Sequence, residues 1–325
     1  MKRIEGTWFE FWHHNRPEGK YYNAACRSFT EAQWRALLQD IHTAGMDTLV
    51  LTASSMVYED SAESYFPTDI YDNPPDMVCK NAMDVLMDEA DRLGMRIFVS
   101  CGWYGVWTQT VNNMRSEEVT ARAFRAVDQL YARYGAHPSF YGWYLPDETG
   151  PYPAYPYFED VFIDYVNRYA AHLRALDPSK LVLVAPYGTK YIKADDRFVD
   201  QLRRLDADIV AYQDEVGVRK STPAETGAYY RALRAAHDKA GRSKIWADME
   251  VFEFEGEVYR SALTPASMER IRAQLAAISP YVDKVLIYCY QCAFSRPGTI
   301  APFRCEGAEK LYNDYLQYAR NEADE

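Results

Sequence analysis

Short apolar runs alternate with longer amphipathic segments along almost the whole chain. Residues 6–12 read as a first strand. Thr30-Glu31-Ala32-Gln33 then has the form of a capping box, and Trp34, Leu37, Leu38 and Ile41 follow at the spacing of one helical face. The same alternation continues with strands predicted over 48–52, 96–101, 140–148, 180–185, 208–212, 244–250 and 284–290. Helices are predicted between and after them, over 82–93, 116–134, 158–176, 197–205, 223–240, 265–278 and 308–320. Thr222 followed by Pro223 marks one helix start, a capping residue followed by the residue whose missing N–H costs nothing in a first turn.

Eight strands alternating with eight helices predict an α/β fold, a parallel sheet closed as a (β/α)8 TIM barrel. The connections support closure. Helix-to-strand links such as Ala44-Gly45-Met46 and Leu93-Gly94-Met95 are short, whereas the strand-to-helix links 53–81, 102–115, 149–157, 251–264 and 291–307 are long and rich in aromatic or polar residues. In such a barrel the long loops build the active face at the C-terminal ends of the strands. A doubly wound open sheet would carry a glycine-rich phosphate turn after its first strand, and Trp12-His13-His14-Asn15-Arg16 has no such character. No repeat, low-complexity tract or linker divides the chain, so a single domain over 1–325 is expected.

Composition narrows the class of partner. The 325 residues are 48% apolar, enough for a large core, and the net charge of −11 argues against nucleic acid or an anionic membrane surface. No apolar run reaches membrane-spanning length. The 27 Tyr and 7 Trp exceed what a core requires and suit a site that stacks on flat apolar faces while hydrogen-bonding at the rim. Cys26, Cys79, Cys101, Cys289, Cys292 and Cys305 are scattered, as reduced thiols are. Cys289-x-x-Cys292 has the spacing of a redox or zinc half-motif, but within a strand residues three apart point to opposite faces. Met1-Lys2-Arg3-Ile4-Glu5 runs into the first strand without a signal-peptide pattern. A cytoplasmic protein is therefore expected, or a periplasmic or secreted one if a leader has been removed.

The strand ends hold the candidate chemistry. The run 140–148 ends in Asp147-Glu148, and carboxylates at the mouth of a buried strand are costly to desolvate. The other ends offer Glu10, Trp12, His13 and His14; Trp103, Tyr104 and Trp107; Tyr187; Tyr212, Gln213, Asp214 and Glu215; Asp248, Glu250 and Glu253; Tyr290 and Gln291. Carboxylates and amides bind hydroxyls, and aromatic faces cover the C–H surface of a pyranose. Glycoside hydrolysis needs a protonated acid at the leaving oxygen and a second carboxylate across the anomeric carbon, so the pair must come from well-separated strands. Glu148 on the fourth strand and Glu250 on the seventh meet that demand, with Asp248 one layer deeper as a tuning partner.

A resemblance agrees with this reading. The Asp147-Glu148 end of the fourth strand resembles the Asn-Glu end of strand four in the large retaining (β/α)8 glycosidase superfamily, where that glutamate is the acid/base. Residues 244–252 resemble the superfamily's strand seven, whose terminal glutamate is the nucleophile. Asp147 departs from the usual Asn. The blocks 142–148, 213–217 and 246–252 resemble an uncharacterised bacterial TIM-barrel family assigned to the glycosyl hydrolases. The resemblance implies a retaining glycosidase without metal or organic cofactor, acting on a glycoside or oligosaccharide through Glu148 and Glu250. Glu10, Trp12, His13, Trp103, Tyr104, Asp147, Tyr187, Tyr212, Gln213, Asp214, Asp248, Tyr290 and Gln291 are the expected substrate contacts.

Other readings stay open beside it. Asp214-Glu215 could supply the second carboxylate. A non-catalytic sugar-binding barrel would present the same surface. A metal-dependent hydrolase or lyase would use His13 and His14, but adjacent histidines diverge on a strand, so no metal is expected. Ser54-Ser55 lack a nearby His–Asp arrangement for a serine nucleophile.

Overall fold

The computed structural model describes residues 1–22, 24–303 and 305–321. Eight parallel strands close into a barrel: β1 (Gly6–Phe9), β2 (Thr48–Leu51), β3 (Arg96–Ser100), β4 (Phe140–Leu145), β5 (Leu181–Val184), β6 (Ile209–Gln213), β7 (Lys244–Glu250) and β8 (Lys284–Tyr288). Each pairs with its neighbour in sequence, and β1 closes on β8 through Gly6 with Leu286 and Thr7 with Ile287. The helices α1 (Glu31–Thr43), α2 (Ala82–Leu93), α3 (Glu117–Tyr134), α4 (Ile163–Leu176), α5 (Asp196–Arg204), α6 (Pro223–Ala240), α7 (Met268–Ile278) and α8 (Ala308–Asn321) follow the strands in turn. The fold is the (β/α)8 barrel that the alternating pattern predicts.

Local chemistry sets the element ends. Capping boxes at Thr30/Gln33 and Thr222/Glu225 satisfy the first N–H groups of α1 and α6. Gly94 and Gly241 end α2 and α6 in the left-handed region, at φ 69° and 65°. Among the described residues, no helix is long and apolar enough to cross a membrane.

Strand parity divides the apolar residues between two cores. Phe9 faces outward onto Trp34 of α1, with ring centroids 5.7 Å apart. Trp8, Phe98, Tyr144 and Trp246 face inward. Trp8 meets Tyr144 edge-on at 6.1 Å, and Phe98 meets Trp246 edge-on at 5.7 Å. Phe98 fits because residue 142 is glycine: a Cβ there would stand 2.6 Å from the Phe98 ring. Phe98 and Trp246 lie below the cavity, while Trp8 and Tyr144 reach its wall beside the polar side chains at the strands' C-terminal ends.

Three strands end two or three residues before the predicted boundary. β1 ends at Phe9 rather than residue 12, β4 at Leu145 rather than 148, and β8 at Tyr288 rather than 290. At β1 and β8 the apolar run outlasts the ladder, because Phe11 packs on Trp34 and Tyr290 on Phe294 instead, whereas β4 gives way to Pro146-Asp147-Glu148. Two of the long loops carry antiparallel hairpins, Ser55–Val57 with Ala62–Ser64 and Phe252–Phe254 with Leu263–Pro265.

Candidate active site

A cavity of about 740 Å³ opens at the C-terminal ends of the strands. Every strand or the loop after it contributes to the wall: Trp8, His13 and His14; Thr52; Trp103 and Trp107; Tyr144 and Glu148; Tyr187; Gln213 and Val218; Asp248, Glu250 and Tyr259; Tyr288. The volume lies within the range of small-molecule sites, roughly 300–1,000 Å³.

Glu148 stands just past the end of β4. Its Oε1 accepts a hydrogen bond from the Tyr144 hydroxyl at 3.1 Å and its Oε2 one from Gln213 Nε2 at 2.9 Å. Burial nonetheless raises its pKa to about 7, the two donors opposing the shift. Asp147, the adjacent acid, turns the other way. It is 6% exposed, lies outside the cavity and faces the Tyr165 hydroxyl on α4 at 3.5 Å. Burial pushes it up to about 7 as well.

Glu250 ends β7 with its carboxylate inside a cradle built by the loop after β6. Val218 N–H donates to Glu250 Oε2 at 2.8 Å, and the Glu250 N–H donates to Asp214 Oδ1 at 3.0 Å. Gly217 is required there, since a Cβ would lie 2.7 Å from Phe252 O and 3.0 Å from both Glu250 Cβ and Oε2. Glu215 and Arg219 in the same loop hold left-handed backbone, φ 54° and 57°. From α7, Gln274 donates to Asp214 Oδ2 at 2.6 Å, and Arg270 donates to the carbonyls of Glu250 and Phe252 at 2.8 and 2.9 Å. Burial raises Glu250 to about 8, helped by the charges of Asp214 and Glu215 and opposed by the Val218 N–H. Asp248, one inward step below, is shifted well above the usual carboxylate range by burial and by the charges of Glu250 and Glu148. These acids form one interacting cluster at the head of the barrel.

A second polar group stands on the β1 side of the cavity, with His13 and His14 in the wall and Glu10 behind them. Glu10 Oε2 and His13 Nδ1 are 2.9 Å apart, and Glu10 Oε1 accepts from the Tyr288 hydroxyl at 3.0 Å. Burial works against charge on both partners, yet their mutual attraction lowers Glu10 to about 2 and raises His13 to about 9, so the pair is ionised at neutral pH. Because β1 ends at Phe9, His13 and His14 do not diverge as strand neighbours would. Their rings lie 4.3 Å apart, and with Glu10 they place donor atoms within 4.8 Å of one another. Likewise Cys289 and Cys292 lie beyond β8, around a turn at Tyr290–Ala293 in which Cys292 has φ 84°, so opposite strand faces do not separate them. Both thiols are buried.

The structure thus brings His13, Trp103, Glu148, Tyr187, Gln213, Asp248 and Glu250 together around the cavity, and places the other expected contacts behind or beside it. Glu10 and Asp214 sit one layer back, supporting His13 and Glu250. Gln291 is bonded to the main chain of Glu10 through both its amide oxygen and nitrogen. Tyr104 is turned onto Ser54 and Ser55. Tyr212 has the outward parity of β6 and pairs with His237 of α6 at 2.8 Å. Trp12 lies under the Arg27 guanidinium, and Tyr290 stacks on Phe294. Sequence reasoning missed Tyr144 and Tyr288, which strand parity marks as inward, and Glu18, Tyr22, Tyr155 and Tyr259, which reach the cavity from loops and the short helix Arg16–Tyr22.

The site is thus the open end of a closed (β/α)8 barrel with carboxyls at the ends of β4 and β7. The chain belongs to the family described as domain of unknown function DUF4434, whose profile matches residues 4–301. The sequence matches no curated protein. Among solved structures it is similar to a Bacteroides thetaiotaomicron protein described as a candidate alpha-L-fucosidase, at 18% identity and TM-score 0.75 over 98% of this chain and 93% of that one. It is similar also to the endo-beta-1,4-mannanase of Thermotoga petrophila, at 11% identity and TM-score 0.61 over 97% and 76% of the two chains. The endo-1,4-beta-mannanase of Rhizomucor miehei gives 10%, 0.61, 99% and 95%. At these identities the likeness is one of fold.

Proposed function

We propose that this chain is a glycoside hydrolase whose single catalytic domain cleaves a glycoside or oligosaccharide by a retaining double displacement. The observation that carries the reading is the pair Glu148 and Glu250, the first half-buried at the head of β4 and the second buried at the head of β7, both with raised proton affinity, facing one aromatic-walled cavity. Glu148 gives its proton to the glycosidic oxygen as Glu250 attacks the anomeric carbon. The C–O bond breaks, the alcohol leaves and a glycosyl ester forms on Glu250. Glu148 then takes a proton from water, whose oxygen displaces Glu250 from the anomeric carbon.

The surroundings fit those roles. Val218 N–H and the nearby Arg270 favour the Glu250 anion, while burial and the charges of Glu250 and Glu148 favour the protonated form of Asp248. Trp103, Trp107, Tyr155 and Tyr187 offer faces for sugar C–H groups. One acid near 7 and another near 8 centre a bell-shaped rate profile between those values, whichever carries the proton. The test is Glu148→Gln and Glu250→Gln on a panel of aryl glycosides and oligosaccharides, with the anomer of the first product read by NMR. Loss of turnover by roughly 100-fold or more in both variants, with retained configuration, is expected. A near-wild-type rate in either variant removes the assignment, and inverted product removes the double displacement.

A further inference from the structure

The wall at β1 has a composition the hydrolytic pair does not use. We propose that Glu10, His13 and His14 form a binding site for a divalent cation of the zinc class, with its open coordination position facing the cavity. The inference stands independently of the hydrolytic reading.

The donor set is two imidazoles and one carboxylate, a combination that suits zinc and its late first-row neighbours and leaves a place for water or a substrate oxygen. Its geometry is nearly assembled. The three donor atoms lie within 4.8 Å of one another, against a spacing of roughly 3.3 Å for ligands around tetrahedral zinc. Glu10 reaches both rings, with Oε2 2.9 Å from His13 Nδ1 and Oε1 3.7 Å from His14 Nδ1. The His14 Nδ1 is buried and makes no hydrogen bond, although the ring's other edge reaches the cavity between Trp103 and Trp107.

The surroundings resemble those of a ligating histidine. His13 turns Nδ1 toward Glu10 and Nε2 toward Glu18, whose Oε2 stands 3.6 Å away. A carboxylate behind the far ring nitrogen is the arrangement that fixes tautomer and orientation in metal-bound histidines. Tyr22 stacks on the His13 ring at 4.2 Å, limiting its rotation. Cation binding would replace the proton now shared between His13 and Glu10, and that proton leaves to solvent. His13, His14 and Glu18 all line the cavity, so the ion enters through its mouth.

The test uses the full chain, free of any affinity tag and stripped with a chelator, titrated calorimetrically with zinc chloride and spectroscopically with cobalt chloride. One equivalent of each is expected, cobalt giving ligand-field bands without a thiolate charge-transfer band. Carboxylates behind a ligating histidine are worth roughly 10- to 100-fold in affinity, so Glu18→Gln should lose that much and His14→Ala at least as much. His14→Ala trims a partly exposed ring and leaves the buried Glu10–His13 pair in place, and melting curves of both variants check the fold. Absence of stoichiometric binding overturns the proposal. So does undiminished binding in His14→Ala, or a thiolate band placing the ion on Cys289 and Cys292.

Discussion

Asp214 accepts the main-chain N–H of Glu250 at 3.0 Å, so the loop after β6 fixes the backbone of the residue that ends β7. The same aspartate adds negative charge next to the Glu250 carboxyl and is itself raised to about 6 by burial. Asp214→Asn keeps an acceptor for that N–H and removes the charge. Proton affinity at Glu250 then falls, and the bell-shaped profile of kcat/KM moves to lower pH. A shift upward, or none, would show that Asp214 acts only as a scaffold.

Tyr144 works in the opposite sense on the other acid. Its hydroxyl donates to Glu148 and favours the ionised form. Tyr144→Phe removes that donor, so Glu148 holds its proton more tightly and the profile moves to higher pH. The rate at the optimum should fall by about tenfold, the scale of one hydrogen bond to a charged group. The measurement is again kcat/KM against pH, on an aryl glycoside the wild type cleaves.

Gly217→Ala probes the cradle without substituting any of the acids. The new methyl group would press on Phe252 O and on the Glu250 side chain. Stability should drop by about 1–3 kcal/mol, as overpacking does, while activity falls by more than that loss of fold explains. Denaturant melts beside single-turnover rates separate the two effects.

Asp147→Asn tests the linkage between the buried acids and the fold. The Asp147 carboxyl is raised from 3.8 to about 7, so its folded form prefers the proton. The stability this contributes is full below pH 3.8 and is lost as pH rises through about 7. The neutral variant escapes the loss, and should exceed wild type by on the order of 2–4 kcal/mol at pH 8 while matching it near pH 4. Urea titrations at the two values decide it. The Glu10–His13 pair gives a further window of the same kind: its histidine is raised from 6.5 to about 9, and the stability from that shift fades as pH climbs through 9.

Much of this architecture is legible in the residues because two periods write it. A period near two marks the strands, 3.6 marks the helices, and loop lengths show which end is the active face. Glu148 and Glu250 were legible for the same reason, as acids at strand ends. Register within a strand was harder. Tyr212 and Gln213 are adjacent, and only the ladder shows that the glutamine faces inward while the tyrosine meets His237. The end of β1 was hardest. Phe11 and Trp12 extend the apolar run past the last ladder bond at Phe9, so the sequence pattern hides the bend that gathers His13 and His14. Tyr155 and Tyr259 come from loops whose paths depend on tertiary packing, and no periodicity encodes those.

The crowding of acids beneath Glu250 and Glu148 also makes the cavity an exchanger of protons with the medium. Any guest that displaces water there alters how tightly several carboxyls near neutrality hold hydrogen, so binding is accompanied by proton uptake or release. The heat of binding would then depend on the ionisation enthalpy of the buffer, differing between phosphate and Tris for the same guest. Occupancy becomes measurable through the solvent even when no bond is cleaved.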